Sequence, residues 1–156
     1  MTRVGIGVDA HAFEAGRPLV LGGVHFEGAM GLSGHSDADV ICHAIADALL
    51  GAAGLGDLGD HFPNDDRWSE ASSLDILRDA VGLVRVEGWS VGNIDVTVVA
   101  EAPPLAPVRD QMVANVADAL GVDHDAVSIK ATTSDGLGFT GRREGIGAIA
   151  VALVHK

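Results

Sequence analysis

The sequence predicts an α+β domain, a two-layer α/β sandwich in which a mixed β-sheet carries helices on one face. The hydrophobic patterns occur in the order strand, hairpin, two helices, strand, helix and two strands, without a repeat or linker. The chain has 156 residues, 47% hydrophobic but only 4% aromatic. These values fit a single domain over residues 1–156, with a core of small aliphatic side chains.

Each element follows from periodicity and from the residues that interrupt it. Strands are expected at residues 4–8, 94–100, 126–131 and 145–155, and a hairpin at 19–26 with its turn at Gly22-Gly23. The last strand is almost continuously apolar, so we expect it to be central or buried on both faces. Helices are expected at residues 36–51 and 72–87, and a third after the prolines at 103, 104 and 107, ending at Gly121. The acidic segment 54–71 is expected to be a loop, and loops of this length are usually functional or mobile.

The first helix carries three polar residues at helical spacing. Ser36-x-x-Asp39 resembles a capping box that would begin the helix. Asp39, His43 and Asp47 then share one face, and Asp47 could accept the second imidazole N–H of His43 and orient it. A solvated polar face explains Asp47 equally well.

Charge and cysteine content exclude several classes of partner. A net charge of −12 argues against nucleic-acid binding and against binding an anionic membrane. Cys42 is the single cysteine, which excludes an intrachain disulfide, indicates a reducing compartment and is expected to be buried packing. There is no bilayer-spanning apolar stretch and no signal peptide, so the expected location is the cytoplasm, or a plastid if a transit peptide was removed.

Asp9, His11 and His43 form a candidate metal site. Alternate residues of a strand point to one face, so Asp9 and His11 can converge on one ion, with His43 supplied by a helix across the strand. Two imidazoles and a carboxylate suit Zn²⁺ and leave a coordination position open, as in catalytic sites. A hydrogen-bonded Asp–His pair beside a structural core histidine is the alternative.

The glycine-rich segment 132–144 is a candidate phosphate site. Gly136-x-Gly138-x-x-Gly141 has the glycine spacing of the dinucleotide-binding fingerprint, but that motif is followed by a helix, and a strand is expected here. A Walker A loop is excluded as well, because it requires Lys-Ser/Thr where Arg142-Arg143 stand. Hydroxyls, glycines, Lys130 and the arginines nevertheless provide phosphate-binding groups. The arginines could instead form a solvated turn or pair with Glu144. His35-Ser36 adds a second candidate at a helix N-terminus, where Ser36 could equally be only the N-cap.

Together these segments resemble one family. The D-x-H pair, His35-Ser36-Asp37, His43, Gly56-Asp57-x-Gly59 and the run from Lys130-Ala-Thr-Thr to Gly138-Phe-Thr-Gly-Arg142 are similar to the 2-C-methyl-D-erythritol 2,4-cyclodiphosphate synthases. The similarity covers essentially the whole chain. It implies a phosphorus–oxygen lyase of the non-mevalonate isoprenoid pathway, assembled as a homotrimer with active sites between adjacent subunits. Its small-molecule substrate would be 4-diphosphocytidyl-2-C-methyl-D-erythritol 2-phosphate, cyclised with release of CMP.

The resemblance also implies a role for individual residues. Asp9, His11 and His43 would hold Zn²⁺, Asp135 would help to hold Mg²⁺ or Mn²⁺ on the diphosphate, and His35 and Thr133 would stabilise the transition state. The implied substrate-binding residues are Asp9, His11, His35, Ser36, Asp57, Leu58, Gly59, Phe62, Asp66, Ala100, Pro103, Leu105, Ala106, Ala131, Thr132, Thr133, Ser134, Asp135, Phe139 and Arg142.

The sequence departs from the family at three positions and leaves two other functions open. Asp135 stands where Glu is common, Asn64 where Asp is frequent and Pro104 where Lys is frequent, so altered affinities are expected. A zinc-dependent phosphoester hydrolase is a second enzymatic reading. A structural trimer, in which zinc only joins strand to helix, is a reading of another class.

Overall fold

The computed structural model describes residues 1–156 and contains the predicted elements in the predicted order. The strands are β1 (Thr2–Glu14), β2 (Leu19–Leu21), β3 (Val24–Phe26), β4 (Gly31–Leu32), β5 (Ser90–Val99), β6 (Val127–Thr132) and β7 (Gly145–His155). The helices are α1 (Val40–Ala53), α2 (Leu58–His61), α3 (Ser73–Val86), α4 (Arg109–Leu120) and α5 (Gly138–Gly141). Short 3₁₀ turns lie at Asp66–Trp68, Ala106–Val108 and His124–Ala126. No helix is long and apolar enough to cross a bilayer.

The main sheet is mixed, as predicted, with strand order β4-β1-β7-β5-β6. β7 is antiparallel to both β1 and β5, and β5 is parallel to β6. β2 and β3 form a separate hairpin that turns at Gly22-Gly23, where both residues have positive φ, as a two-residue hairpin turn requires. The expectation that β7 is central is therefore confirmed.

Two glycines of β1 set the distance between the sheet and α1. A Cβ atom at Gly5 would lie 1.9 Å from the Ala48 carbonyl oxygen, and one at Gly7 would lie 1.9 Å from that of Ala44. The helix therefore packs directly on the backbone of the strand. From Gly5 to Gly7 the contact on α1 moves back by one turn, so the next residues of that face of β1 meet the start of the helix.

The other face of the sheet is apolar and exposed in the single chain. Val4, Ile6 and Val8 of β1 point away from α1, and Ile6 is 66% exposed. They lie opposite Leu153, Val151 and Ile149 of β7, respectively, so the residues form one continuous surface. We call these six residues the apolar sheet face. β7 is thus central in the sheet but covered on only one side within this chain.

The structure corrects several boundaries. β1 extends well beyond residues 4–8, and α1 begins at Val40 rather than at residue 36. The segment 54–71 is not a continuous loop, because it contains α2 and a 3₁₀ turn. The glycine-rich segment contains only the single-turn helix α5 before β7, so it lacks the long helix of a dinucleotide-binding fold.

Candidate metal centre

Strand β1 and helix α1 bring the three predicted metal ligands together. Asp9 and His11 follow Gly5 and Gly7 on the face of β1 that packs on α1, and His43 lies in the first turn of that helix. His43 is buried, whereas Asp9 and His11 are half-buried. The predicted convergence of the three residues is confirmed.

The donor atoms form a compact triangle. Asp9 Oδ2 lies 3.0 Å from His11 Nε2 and 3.1 Å from His43 Nδ1, and the two imidazole nitrogens are 3.4 Å apart. A tetrahedral ion with ligand distances of about 2.0–2.1 Å has donor atoms roughly 3.3 Å apart. The group is able to hold one metal ion, and its two nitrogens and one carboxylate fit Zn²⁺.

The charges of the triangle reinforce one another. Burial raises the pKa of the Asp9 carboxyl, but hydrogen bonds and charge from His11 and His43 outweigh this effect and lower the pKa to about 2. Burial lowers the pKa of His11, but the Asp9 carboxylate outweighs it and the net pKa is raised. His11 Nδ1 donates to the Ser33 carbonyl at 2.7 Å, which leaves Nε2 directed at the triangle.

Asp39, rather than Ser36, caps helix α1. Its fully buried carboxylate accepts the amides of Ile41 and Cys42 and also those of Gly22 and Gly23, at 2.9 and 2.8 Å. The predicted capping box is therefore wrong, and Ser36 does not lie at the N-terminus of α1 as expected. Burial raises the pKa of Asp39 and raises that of the buried Cys42 thiol well above its ordinary value. Cys42 is core packing, as expected.

Asp47 does not orient His43. Its carboxylate accepts the Leu58 amide at 2.7 Å and fixes the start of α2, and burial raises its pKa. A solvated polar face is not correct either, since Asp47 is half-buried and Asp39 fully buried. The second nitrogen of His43 instead faces two serine hydroxyls, from Ser36 at 3.1 Å and Ser73 at 2.9 Å.

A cavity of about 270 Å³ opens beside the triangle. Besides the three candidate ligands, its lining contains five of the predicted substrate residues, His35, Ser36, Leu58, Gly59 and Phe62. Gly34, Asn64, Trp68 and Ile76 complete the lining, whereas the predicted residues Asp57 and Asp66 are not part of it. Asp57 caps α2 beside it through a capping box with Asp60, and Asp66 lies exposed in the 3₁₀ turn. Trp68 packs edge-on against Phe62, and its indole N–H is buried without a hydrogen-bond acceptor.

Arg17 holds the segment that carries His35. Its guanidinium donates to the carbonyls of Gly34 and Ser36, one on each side of His35, at 2.5 Å each. His35 Nε2 itself donates to the Asp65 carbonyl. The cavity wall is thus tied to the turn that follows β1 on one side and to Asp65, the N-cap of the 3₁₀ turn, on the other.

The predicted residues of the second half of the chain do not line this cavity. The residues concerned are Ala100, Pro103, Leu105, Ala106, Ala131, Thr132, Thr133, Ser134, Asp135, Phe139 and Arg142. Pro103 borders a separate, largely apolar cavity of about 320 Å³ with Phe13 and Met30. The Thr133 hydroxyl donates a hydrogen bond to the Asp135 carboxylate in an exposed turn, and the hydroxyls of Ser134 and Thr140 are hydrogen-bonded to each other. Arg142 pairs with Glu144 at 2.6 Å, which was one of the two alternatives for this arginine.

The sequence did not predict the roles of four residues around the cavity. These are Arg17, Trp68, Ser73, and Asp37 as the acceptor for the first amide of α3. Ser72-Ser73 gave only the signal of a helix start, and Ser72 indeed makes no side-chain cap bond. The hydrogen-bond acceptor of Ser73 is Asp37, which lies 36 residues earlier in the chain. No local spacing rule could have identified that pair.

Fold and site define an α+β protein with a three-residue potential metal centre that opens onto a cavity lined by polar and apolar residues. The profile of the YgbB family matches residues 2–155, and the chain belongs to this family. It is 55% identical over 155 residues to a 2-C-methyl-D-erythritol 2,4-cyclodiphosphate synthase from Bordetella avium, covering 99% of this chain and 96% of the relative. The family resemblance inferred from the sequence is confirmed.

Solved structures of related proteins have the same fold. The bifunctional IspDF of Campylobacter jejuni superposes with a TM-score of 0.94 at 40% identity, over 99% of this chain and 42% of that one. A CDP complex of IspF from Plasmodium falciparum matches with a TM-score of 0.86 at 32% identity, over 98% of this chain and 95% of that one.

Proposed function

We propose that the chain converts 4-diphosphocytidyl-2-C-methyl-D-erythritol 2-phosphate into 2-C-methyl-D-erythritol 2,4-cyclodiphosphate and CMP. The observation that carries this proposal is the Asp9, His11 and His43 triangle on the wall of a cavity shared with His35 and Ser36. The 55% identity to a synthase of this name supports the same assignment.

The reaction is an intramolecular phosphoryl transfer. An oxygen of the 2-phosphate forms a bond to the β-phosphorus, while the bond from that phosphorus to the CMP oxygen breaks and its electron pair leaves with CMP. Because the attacking phosphate is ionised near neutral pH, no general base is needed. The protein must hold the folded conformer and neutralise phosphate oxygens, which are the main contributions in phosphoryl transfer.

Asp9, His11 and His43 hold Zn²⁺ in this proposal. The bound ion supplies positive charge to a substrate phosphate, which a chain with a net charge of −12 otherwise provides at few places. His35 and Ser36 border the same wall and bind phosphate oxygens, with His35 stabilising the transition state. Leu58, Gly59 and Phe62, with Asp57 and Asp66 beside them, enclose the methylerythritol.

The cytidine and diphosphate groups bind to residues of the chain's second half. Ala100, Pro103, Leu105, Ala106, Ala131 and Thr132 contact the cytidine, and Thr133, Ser134, Phe139 and Arg142 complete the binding segment. Asp135 helps to hold Mg²⁺ or Mn²⁺ on the diphosphate, and its carboxylate lies exposed in the turn after β6. Such an oxygen donor suits either ion.

A homotrimer with sites between adjacent subunits unites the two halves. Within one chain, none of the second-half residues lines the cavity of the metal triangle. The apolar sheet face is exposed in the isolated chain. Exposed apolar patches of this kind usually mark a protein–protein interface. A neighbouring copy that covers this face can also bring its own second-half residues to the cavity.

The test is ³¹P NMR of the protein incubated with the cytidylyl substrate, zinc and Mg²⁺. The wild-type protein is expected to yield CMP and a cyclic diphosphate, and His43→Ala is expected to lose both bound zinc and CMP release. His25→Ala, at an exposed position of β3, serves as the control and should behave as wild type. Full turnover by His43→Ala would remove the ligand assignment.

Two alternative functions give different outcomes in the same experiment. A hydrolase would incorporate oxygen from ¹⁸O-labelled water into the product, whereas the cyclisation incorporates none. If zinc only held strand to helix, its removal would unfold the protein. For a catalytic site, removal of zinc should abolish turnover and leave the fold intact.

A further inference from the structure

The nitrogen of His43 that faces away from the triangle enters a buried hydrogen-bond network. Nε2 lies 2.9 Å from Ser73 Oγ and 3.1 Å from Ser36 Oγ. All three side chains are buried, and Ser73 is completely so. Ser73 comes from the first turn of α3, whereas His43 comes from α1, so the network joins two helices.

Asp37 determines the direction of these hydrogen bonds. Ser73 Oγ donates to Asp37 Oδ1, and the Ser73 amide donates to Asp37 Oδ2 at 3.0 Å. A carboxylate only accepts, so the single hydroxyl proton of Ser73 is committed to Asp37. Ser73 Oγ then presents only lone pairs to His43, which favours the imidazole tautomer protonated on Nε2, because that N–H can donate to Ser73 Oγ.

That tautomer is the one that metal binding needs. A neutral imidazole protonated on Nε2 has its lone pair on Nδ1. Nδ1 is the nitrogen of His43 that lies in the triangle, 3.1 Å from Asp9 Oδ2. His11 is fixed by a parallel device, since its Nδ1 donates to the Ser33 carbonyl and Nε2 faces the triangle.

We propose that Ser73 and Asp37 are positioning residues for the metal ligand His43, fixing both its ring orientation and its tautomer. The inference rests on the zinc site of the proposed function but not on the substrate. Partners of this kind typically change metal affinity by about 10- to 100-fold.

Asp37 is itself held firmly enough to serve this purpose. Its amide donates to the Ala71 carbonyl at 3.1 Å, and the Glu70 amide donates to the His35 carbonyl at 3.0 Å. Ser72, the N-cap of α3, makes no side-chain cap bond, so Asp37 takes over that role through the Ser73 amide. The acceptor at the end of the network is therefore fixed by the backbone on both sides.

The first test is zinc affinity, measured by competition with a chromophoric chelator. Ser73→Ala should weaken zinc binding about tenfold, because the Ser36 hydroxyl remains as an acceptor. The double variant Ser36→Ala with Ser73→Ala should weaken binding about 100-fold. Ser72→Ala is the matched control, adjacent in sequence and outside the network, and should bind zinc as wild type does.

A spectroscopic readout separates positioning from a purely structural role. With Co²⁺ in place of zinc, the visible absorption of Ser73→Ala should differ from that of wild type, whereas that of Ser72→Ala should not. Equal zinc affinity and equal Co²⁺ spectra in Ser73→Ala, with the wild-type urea midpoint, would overturn the inference.

Asp37→Asn provides a second route if Ser73→Ala fails to fold. An amide nitrogen at this position would face one of the two Ser73 donors, so zinc affinity should fall. In a double-mutant cycle this loss should disappear in the Ser73→Ala background, because Asp37 acts through Ser73. Wild-type zinc affinity in Asp37→Asn would count against the network. If these zinc effects appear but the wild-type protein makes no cyclic product, only the proposed function fails.

Discussion

Arg17, one of ten Lys and Arg residues in the chain, donates hydrogen bonds to the carbonyls on both sides of His35. It lies between β1 and the β2–β3 hairpin. Its charge is partly balanced by Glu14 at 3.8 Å. At the scale of single residues, this contact shows how a basic side chain can fix a cavity wall through backbone carbonyls.

Arg17→Met should lower kcat by about tenfold or more without weakening zinc binding. The reason is that small displacements of a group such as His35 from its working position are costly in rate. Turnover and zinc titration measure the two effects separately. Arg78→Met, which removes an exposed arginine paired with Asp75 on α3, is the control. An unchanged kcat in Arg17→Met would show that the segment keeps its place without the arginine.

Asp135→Ala should raise the Mg²⁺ or Mn²⁺ concentration needed for half-maximal turnover. The carboxylate is exposed, so its removal leaves the fold unchanged and takes away one oxygen ligand of the proposed second ion. Titration of turnover against each metal measures the effect, with Asp123→Ala as an exposed control. Superimposable metal titrations of Asp135→Ala and wild type would refute the role of Asp135.

At the scale of elements, the packing of α1 on β1 decides whether a metal site exists. The backbone contacts of Gly5 and Gly7 set both the depth and the register of the helix, and that register places His43 beside Asp9 and His11. The buried Asp39 carboxylate then fixes the start of the helix against the β2–β3 hairpin. A ligand set that is distant in sequence is thus assembled by two tight backbone contacts and one carboxylate.

Gly7→Ala should destabilise the fold by about 3 kcal/mol or more and should also weaken zinc binding. The added methyl would collide with the Ala44 carbonyl, and overpacking of this kind forces the backbone to move. Urea unfolding and zinc titration are the measurements. Gly82→Ala is the contrast: it lies inside α3 with open space at its Cβ position, so it should stabilise the protein by up to about 1 kcal/mol. Equal stability of the two variants would contradict the packing argument.

At the scale of the whole molecule, two features of the single chain bear on the proposed homotrimer. The apolar sheet face lies uncovered, and none of the family-implied site residues of the chain's second half lines the cavity of the metal triangle. Both are explained if neighbouring copies cover that face and share their sites.

Ile6→Glu should dissociate the proposed homotrimer into monomers and abolish turnover. A charge buried in an apolar interface without a partner is strongly unfavourable, and a shared site requires the neighbouring subunit. Light scattering gives the mass, and ³¹P NMR gives the turnover. Val86→Glu, at the 85% exposed end of α3, is the control. A monomeric wild-type protein would refute the shared-site arrangement.

Local patterns allowed much of the fold to be predicted. Alternation and apolar runs located the strands, and the glycines at 22–23 and 121 marked the hairpin turn and the end of α4. The start of α1 was predicted wrongly because Ser36-x-x-Asp39 fits a capping box by spacing. Asp39 is the N-cap instead, because its carboxylate accepts the first amides of α1. The amides of Gly22 and Gly23 donate to the same buried carboxylate.

By itself, the sequence determined the order of elements, the family, and Asp9, His11 and His43 as metal-ligand candidates. Residue type and short spacing carry that information, because a strand presents alternate residues on one face. Only the tertiary structure decided which partner completes each group. Asp47 accepts a hydrogen bond from the Leu58 amide at the start of α2, whereas His43 is hydrogen-bonded to Ser73, which donates to Asp37. These contacts depend on how α1 and α3 dock against each other and the sheet, and hydrogen bonds between residues 30 or more positions apart leave no periodicity in the sequence.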